Sequence, residues 1–127
     1  MDVDQLTPQL TPQLVAGYAA DSIASRGFAK KTLMDRTGAV CVRGALNEVL
    51  TGDPMSGPTT SKLLVLRGEI EDLILQFAGT GSATVPIWND EDGITIEDVL
   101  LVLRAVAATG PETISETNDE QRELVTA

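Results

Sequence analysis

Apolar residues recur at helical spacing in four stretches of the chain, and each stretch carries its own start and stop signals. The first runs from about Pro12 to Ser25 and sets Leu14, Tyr18, Ala19 and Ile23 near one face. Thr11-Pro12 suits an N-cap followed by proline at the first helical position, where the missing N–H costs nothing, and Gly27 is the stop. Thr7-Pro8-Gln9-Leu10 repeats as Thr11-Pro12-Gln13-Leu14, but two units are too few for a repeat architecture. The first unit reads as a tail or false start, the second as the true helix start.

The second stretch covers roughly Ala39–Leu50. Val42, Leu46, Val49 and Leu50 form its stripe, widened by Cys41 and Ala45, and Thr51-Gly52-Asp53-Pro54 ends it. The third, about Ser61–Ala78, is the longest. Leu63, Leu66, Ile70, Leu73, Ile74 and Phe77 mark its expected buried face, with Arg67, Glu69, Glu71 and Asp72 mostly off it. Gly68 costs that helix about 1 kcal/mol relative to alanine, so a close helix contact is expected there. The fourth begins at Thr95, where Asp98 approximates a capping box and Ile94 and Val99 occupy the staple positions. Val99, Leu100, Leu103, Val106 and Ala107 supply its core face, and Gly110-Pro111 ends it.

The connections are less regular. Asp35-Arg36-Thr37-Gly38 is a turn signal, and Thr32–Val40 admits either a short irregular hairpin or a loop leading to the second helix. Residues 53–60 form a loop rich in Pro, Gly, Ser and Thr. Within the long connection 80–93, Thr84–Trp88 is apolar enough for a short strand or an extended segment packed on the helices. The expected architecture is therefore all-α: a small bundle of about four helices with one irregular segment or short hairpin after the first. It divides into a flexible segment 1–10, a helical domain 11–110 and an acidic tail 111–127, in which Asp119–Val125 is a frayed helix at most.

Composition narrows the function classes. A chain of 127 residues that is 43% hydrophobic is long and apolar enough to bury a core. No apolar run approaches the ~18–20 residues that cross a bilayer, and no signal peptide opens the chain, so a cytoplasmic protein is expected. The net charge of −10 argues against nucleic acid and anionic membrane as partners. Charge is uneven, however. Arg26, Lys30, Lys31, Arg36 and Arg43 face only Asp35 between residues 22 and 44, while the rest of the chain is acidic. Such a dipolar surface can steer a charged partner, although charge also serves solubility alone.

Candidate chemistry is thin. With no histidine, the single Cys41 has no Cys-His pair to activate it, and on an apolar helix face it reads as a small buried hydrophobe. Asn89-Asp90-Glu91-Asp92-Gly93 invites a calcium reading. Setting Gly93 at the sixth EF-hand loop position puts Trp88 and Val99 where oxygen ligands belong, so the register fails. Gly79-Thr80-Gly81-Ser82 lacks the lysine and the following helix of a P-loop. Neither a catalytic residue, a cofactor nor a metal site is expected. Trp88 reads either as a plug pinning the long loop to the helices or as an interface anchor.

Four motifs follow one another along the chain: Ala19-Ala20-Asp21-Ser22-Ile23 with Arg26-Gly27-Phe28, then Asp35 to Gly38, Cys41-Val42-Arg43-Gly44-Ala45-Leu46, and Trp88-Asn89-Asp90 followed by Thr95 to Leu103. In this order they resemble the motifs of an uncharacterised family of small proteins from actinobacteria and their phages. The resemblance spans about residues 15–107 and implies a lineage without a mechanism. Arg43 inside the Cys helix, the acidic tail and the Thr-Pro-Gln-Leu opening depart from the pattern.

The expected function is a non-enzymatic protein-interaction module, an actinobacterial or phage accessory protein that presents an acidic face to a basic surface of a host or neighbouring protein. Trp88 and Asp90 with Glu91, Asp92, Glu69 and Asp72 are its expected binding residues. The alternative is a self-assembling structural component, such as a virion or assembly protein, with copies of the chain as partners. The compartment is the cytoplasm, that of the host for a phage protein.

Overall fold

The computed structural model describes residues 10–109. Five helices follow one another: α1 (Pro12–Arg26), α2 (Val42–Thr51), α3 (Ser61–Ala78), α4 (Val85–Asn89) and α5 (Ile96–Ala107). Among the described residues there is no strand, only isolated bridges from Val40 to Phe28 and to Met34, so the fold is all-α. The first Thr-Pro-Gln-Leu unit, the Gly110-Pro111 stop and the Asp119–Val125 stretch lie outside the described residues.

Threonine starts four of the five helices. The side chains of Thr11, Thr60, Thr84 and Thr95 accept from the backbone N–H groups of Leu14, Leu63, Ile87 and Asp98. Each bond satisfies one of the orphan donors of a helix start, at about 1 kcal/mol per cap. At Thr95 the capping box with Asp98 is complete, as the spacing predicts. Thr84 followed by Pro86 turns Thr84–Trp88 into the short helix α4 instead of the expected extended segment. A related signal, a threonine cap with proline one residue further on than at Thr11-Pro12, starts this helix and outweighs the β-branched character of Val85 and Ile87.

The core lies between α1 and the other helices. α1 packs most extensively against α5 and also against α2 and α3. Its buried face is Val15, Ala16, Ala19, Ala20 and Ile23, not the Leu14–Tyr18 side: Leu14 is half-buried and Tyr18 is 52% exposed. Small side chains decide this. The alanine face lets neighbouring helices come close, and a Cβ on Gly17 would sit 3.5 Å from Cβ of Ala107 in α5.

α3 is anchored by few residues. Only Ile70 and Ile74 are buried, while Leu63, Leu66 and Leu73 are half-buried and Phe77 is exposed. Gly68 meets nothing within 4 Å, so the close helix contact expected there is absent among the described residues. α2 starts at Val42, three residues later than its periodicity suggests. The reason is that Ala39 and Val40 are committed elsewhere. Ala29 N–H donates to Val40 O, Val40 N–H to Gly27 O and Asp35 N–H to Ala39 O. Residues 33–41 thus form an irregular hairpin around the Asp35–Gly38 turn, with Phe28 bridged to it in parallel, and Asp35 Oδ1 accepts from Thr37 N–H, Thr37 Oγ1 and Ala39 N–H within the turn. No described helix is long and apolar enough to cross a membrane.

Glu48 ties α2 to α1. Its carboxylate accepts from Arg26 Nε (3.2 Å) and Nη2 (2.8 Å) and from Ser22 Oγ (2.5 Å). The Arg26 guanidinium, then the Ser22 hydroxyl, hold the Glu48 carboxyl below its ordinary value of 4.5. A carboxyl depressed in the folded state contributes its stability above the unfolded value and loses it as pH falls through the folded one. The melting temperature is therefore expected to fall as the pH is lowered below 4.5. Glu48→Gln should melt lower than the parent at neutral pH, with the gap closing in acid. A gap independent of pH would show that the carboxylate charge plays no part.

Candidate functional site

Three chain segments meet at the start of α2, and one buried amide joins them. Asn89, 1% exposed, accepts from Val42 N–H at 2.9 Å through Oδ1 and donates through Nδ2 to Ala29 O (3.1 Å) and Asp90 Oδ1 (3.0 Å). Val42 is the first residue of α2, so its N–H has no partner within the helix, and Asn89 supplies one. Asp90 Oδ1 also accepts from Lys31 N–H at 2.8 Å, which fixes Lys31 in the left-handed region at φ 66°. Cys41 caps α2 with sulfur, accepting from Gly44 N–H at 3.3 Å. Gly44 abuts Leu33, whose carbonyl oxygen would lie 2.1 Å from a Cβ at that position. The glycine accommodates a loop carbonyl, not a neighbouring helix.

A surface groove of about 400 Å³ opens over this junction, lined by Lys31, Leu33, Cys41, Arg43, Asn89 and Asp90 among others. Burial pushes the Cys41 thiol up, against the smaller opposing effect of the Gly44 and Arg43 backbone N–H groups. It therefore stays protonated near neutral pH, a poor nucleophile. Arg43 is held by Glu71 of α3 through a forked pair, Nε–Oε2 2.9 Å and Nη2–Oε1 2.7 Å, and this hydrogen-bonded carboxylate raises its pKa. A second groove, about 500 Å³, lies between α1 and α2 and includes Tyr18, Ser25, Arg26 and Glu48. Among the described residues no three His, Cys, Asp or Glu side chains converge as a metal site requires.

The six expected binding residues do not share one surface. Trp88 is 3% exposed and belongs to the core, so its ring offers almost no surface to a partner. Asp90 is half-buried and occupied by the junction. Glu91 is tethered: its carboxylate accepts from Ser82 Oγ and its backbone carbonyl from Lys30 Nζ at 2.5 Å. Asp92 is exposed. Glu69 and Asp72 are exposed on α3, but Glu69 and the groove-side Glu71 are two residues apart, roughly 200° round a helix. Glu69 therefore projects from the flank of α3 away from Arg43, and Asp72 lies about 100° round the helix from Glu71. The basic run is broken up too, since Arg26 is paired with Glu48 and Arg43 with Glu71.

Sequence reasoning missed the two buried amides. Asn47 of α2, 2% exposed, donates to Pro54 O (3.2 Å) and accepts from Arg67 Nη1 (2.9 Å), fastening the loop 53–60 and α3 to α2. An asparagine between Leu46 and Leu50 on an otherwise apolar stripe was the available signal, because a buried amide must be hydrogen-bonded. For Asn89, hydrophobic periodicity held no sign of the distant Val42 and Ala29 partners.

One family model, described as a family of unknown function (DUF6197), matches residues 7–109. It covers all five described helices and both grooves. No curated protein and no solved structure matches the chain.

Proposed function

The chain belongs to the DUF6197 family, and from the geometry of its acidic turn we propose that it is a non-enzymatic interaction module for a basic protein surface. One observation carries this reading. The turn between α4 and α5 is braced by two segments, through Lys30 and Lys31 of one and Ser82 of the other, yet Ile87 is 53% exposed and Asp92 and Glu97 are open to solvent. A braced turn binds with little loss of conformational freedom, so more of its contact energy appears as affinity. Ile87 supplies the apolar centre and Glu91, Asp92 and Glu97 the acidic rim. The net charge of −10 speeds the encounter with a cationic partner. Glu69 and Asp72, on another flank of α3, are left out of this surface.

The motif resemblance makes an actinobacterial cell, or a phage infecting one, the place to look for the partner. Affinity capture from such a lysate, with the parent protein and with an Ile87→Ser, Asp92→Lys variant as parallel baits, tests the assignment. One protein recovered stoichiometrically with the parent, released by moderate salt and lost from the variant at unchanged melting temperature, is the expected result. Recovery of the bait alone, or equal capture by both baits, overturns it.

A further inference from the structure

We infer that the outer face of α3 is a self-complementary surface on which a second copy of this chain docks antiparallel. This is independent of the acidic turn. Ser61, Lys62, Leu64, Val65, Gly68, Glu69 and Asp72 are all exposed, and none turns towards Ile70 and Ile74 on the buried side. Within that face Ser61, Val65, Gly68 and Asp72 follow one another at spacings of four, three and four, the repeat of a helix that pairs with another helix. Val65 is 60% exposed and Leu64 44% exposed, while the site of a Gly68 Cβ is open space. A mid-helix glycine costs about 1 kcal/mol against alanine, and nothing among the described residues exploits the notch it leaves.

Charge sets both occupant and direction. Two α3 helices laid parallel and in register would set Asp72 against Asp72 in the seam, a repulsive arrangement on a chain already at −10. Laid antiparallel about a two-fold axis near residues 66 and 67, the same face complements itself. Val65 of each copy meets the Gly68 notch of the other. Lys62 comes over Glu69 of the second copy, and the N-terminal turn of α3, with its positive dipole end, comes over Asp72. The exposed Val65, the glycine and the placement of the one lysine among acids are thus accounted for together.

Sedimentation velocity on the full chain, from micromolar to millimolar protein, is the test. The parent protein is expected to pass from monomer to dimer over that range. Gly68→Leu fills the notch, and because leucine is a better helix former at an open position, the variant folds. It should weaken the dimer at least tenfold with no fall in melting temperature. Lys62→Glu should weaken it similarly, and adding Glu69→Lys to that variant should restore association, since the two charges then pair with reversed signs. A parent that stays monomeric throughout, or a dimer indifferent to both Gly68→Leu and Lys62→Glu, overturns the inference.

Discussion

Gly44→Ala is expected to lower the melting temperature by about 10 °C or more, the signature of a loss near 3 kcal/mol in a domain of this size. Alanine should favour α2 by about 1 kcal/mol on helix propensity alone, so the sign depends on what the new methyl group meets. It meets backbone: the Leu33 carbonyl oxygen at 2.1 Å and its carbon at 3.0 Å. That carbonyl cannot swing away cheaply, because it accepts from Cys41 N–H at 3.2 Å, and the neighbouring Met34 is bridged to Val40. The overlap must be relieved by shifting α2 against the hairpin, which strains the Asn89 junction as well. Gly68→Ala is the internal control. The same substitution in open space should raise the melting temperature of dilute protein by a few degrees. Thermal melts followed by circular dichroism compare the two, and effects of the same sign would refute the packing argument.

Asn89→Asp is expected to be nearly as damaging, and in a pH-dependent way. The variant keeps an acceptor for Val42 N–H but loses the donor to Ala29 O, and it sets a buried carboxyl beside Asp90. Burial and the like charge both push its pKa up in the folded state, while in the unfolded chain it titrates near 3.9. A raised carboxyl pKa means that the penalty against the parent grows as pH rises above the unfolded value and levels off once the folded group ionises. A loss of about 3 kcal/mol at neutral pH, shrinking towards pH ~4, is expected from urea unfolding of both proteins at each pH. A penalty constant across that range would mean that the missing amide donor, and not the buried charge, dominates.

The parts of the fold legible in the sequence were those encoded locally. α1, α3 and α5 sit where the caps and periodicity put them, since a threonine cap and a glycine stop act within a few residues of themselves. Faces were harder. Leu14 and Tyr18 look more apolar than an alanine stripe, yet the stripe is buried, because close approach depends on the partner helix and not on the residue's own hydropathy. α3 is apolar on nearly every side, so periodicity nominated six core residues where packing buries two. The candidate site was partly legible. Composition points to the acidic turn, but it gives no sign that Trp88 is buried and Asp90 hydrogen-bonded within the junction, and the tethers from Lys30, Lys31 and Ser82 come from segments with no pattern linking them to it.

The extensive packing of α1 against α5 has a consequence for how the molecule is made. The alanine face of α1 leaves the ribosome early, but the largest single share of what covers it is synthesised some 80 residues later, at Val99–Val106. Until then α1 can rest only on α2 and α3, and its helix alone is too short to persist in water. Completion of the core therefore waits for α5. A nascent chain stalled before Thr95 should remain open to proteases along α1, and the same chain released after Thr109 should close.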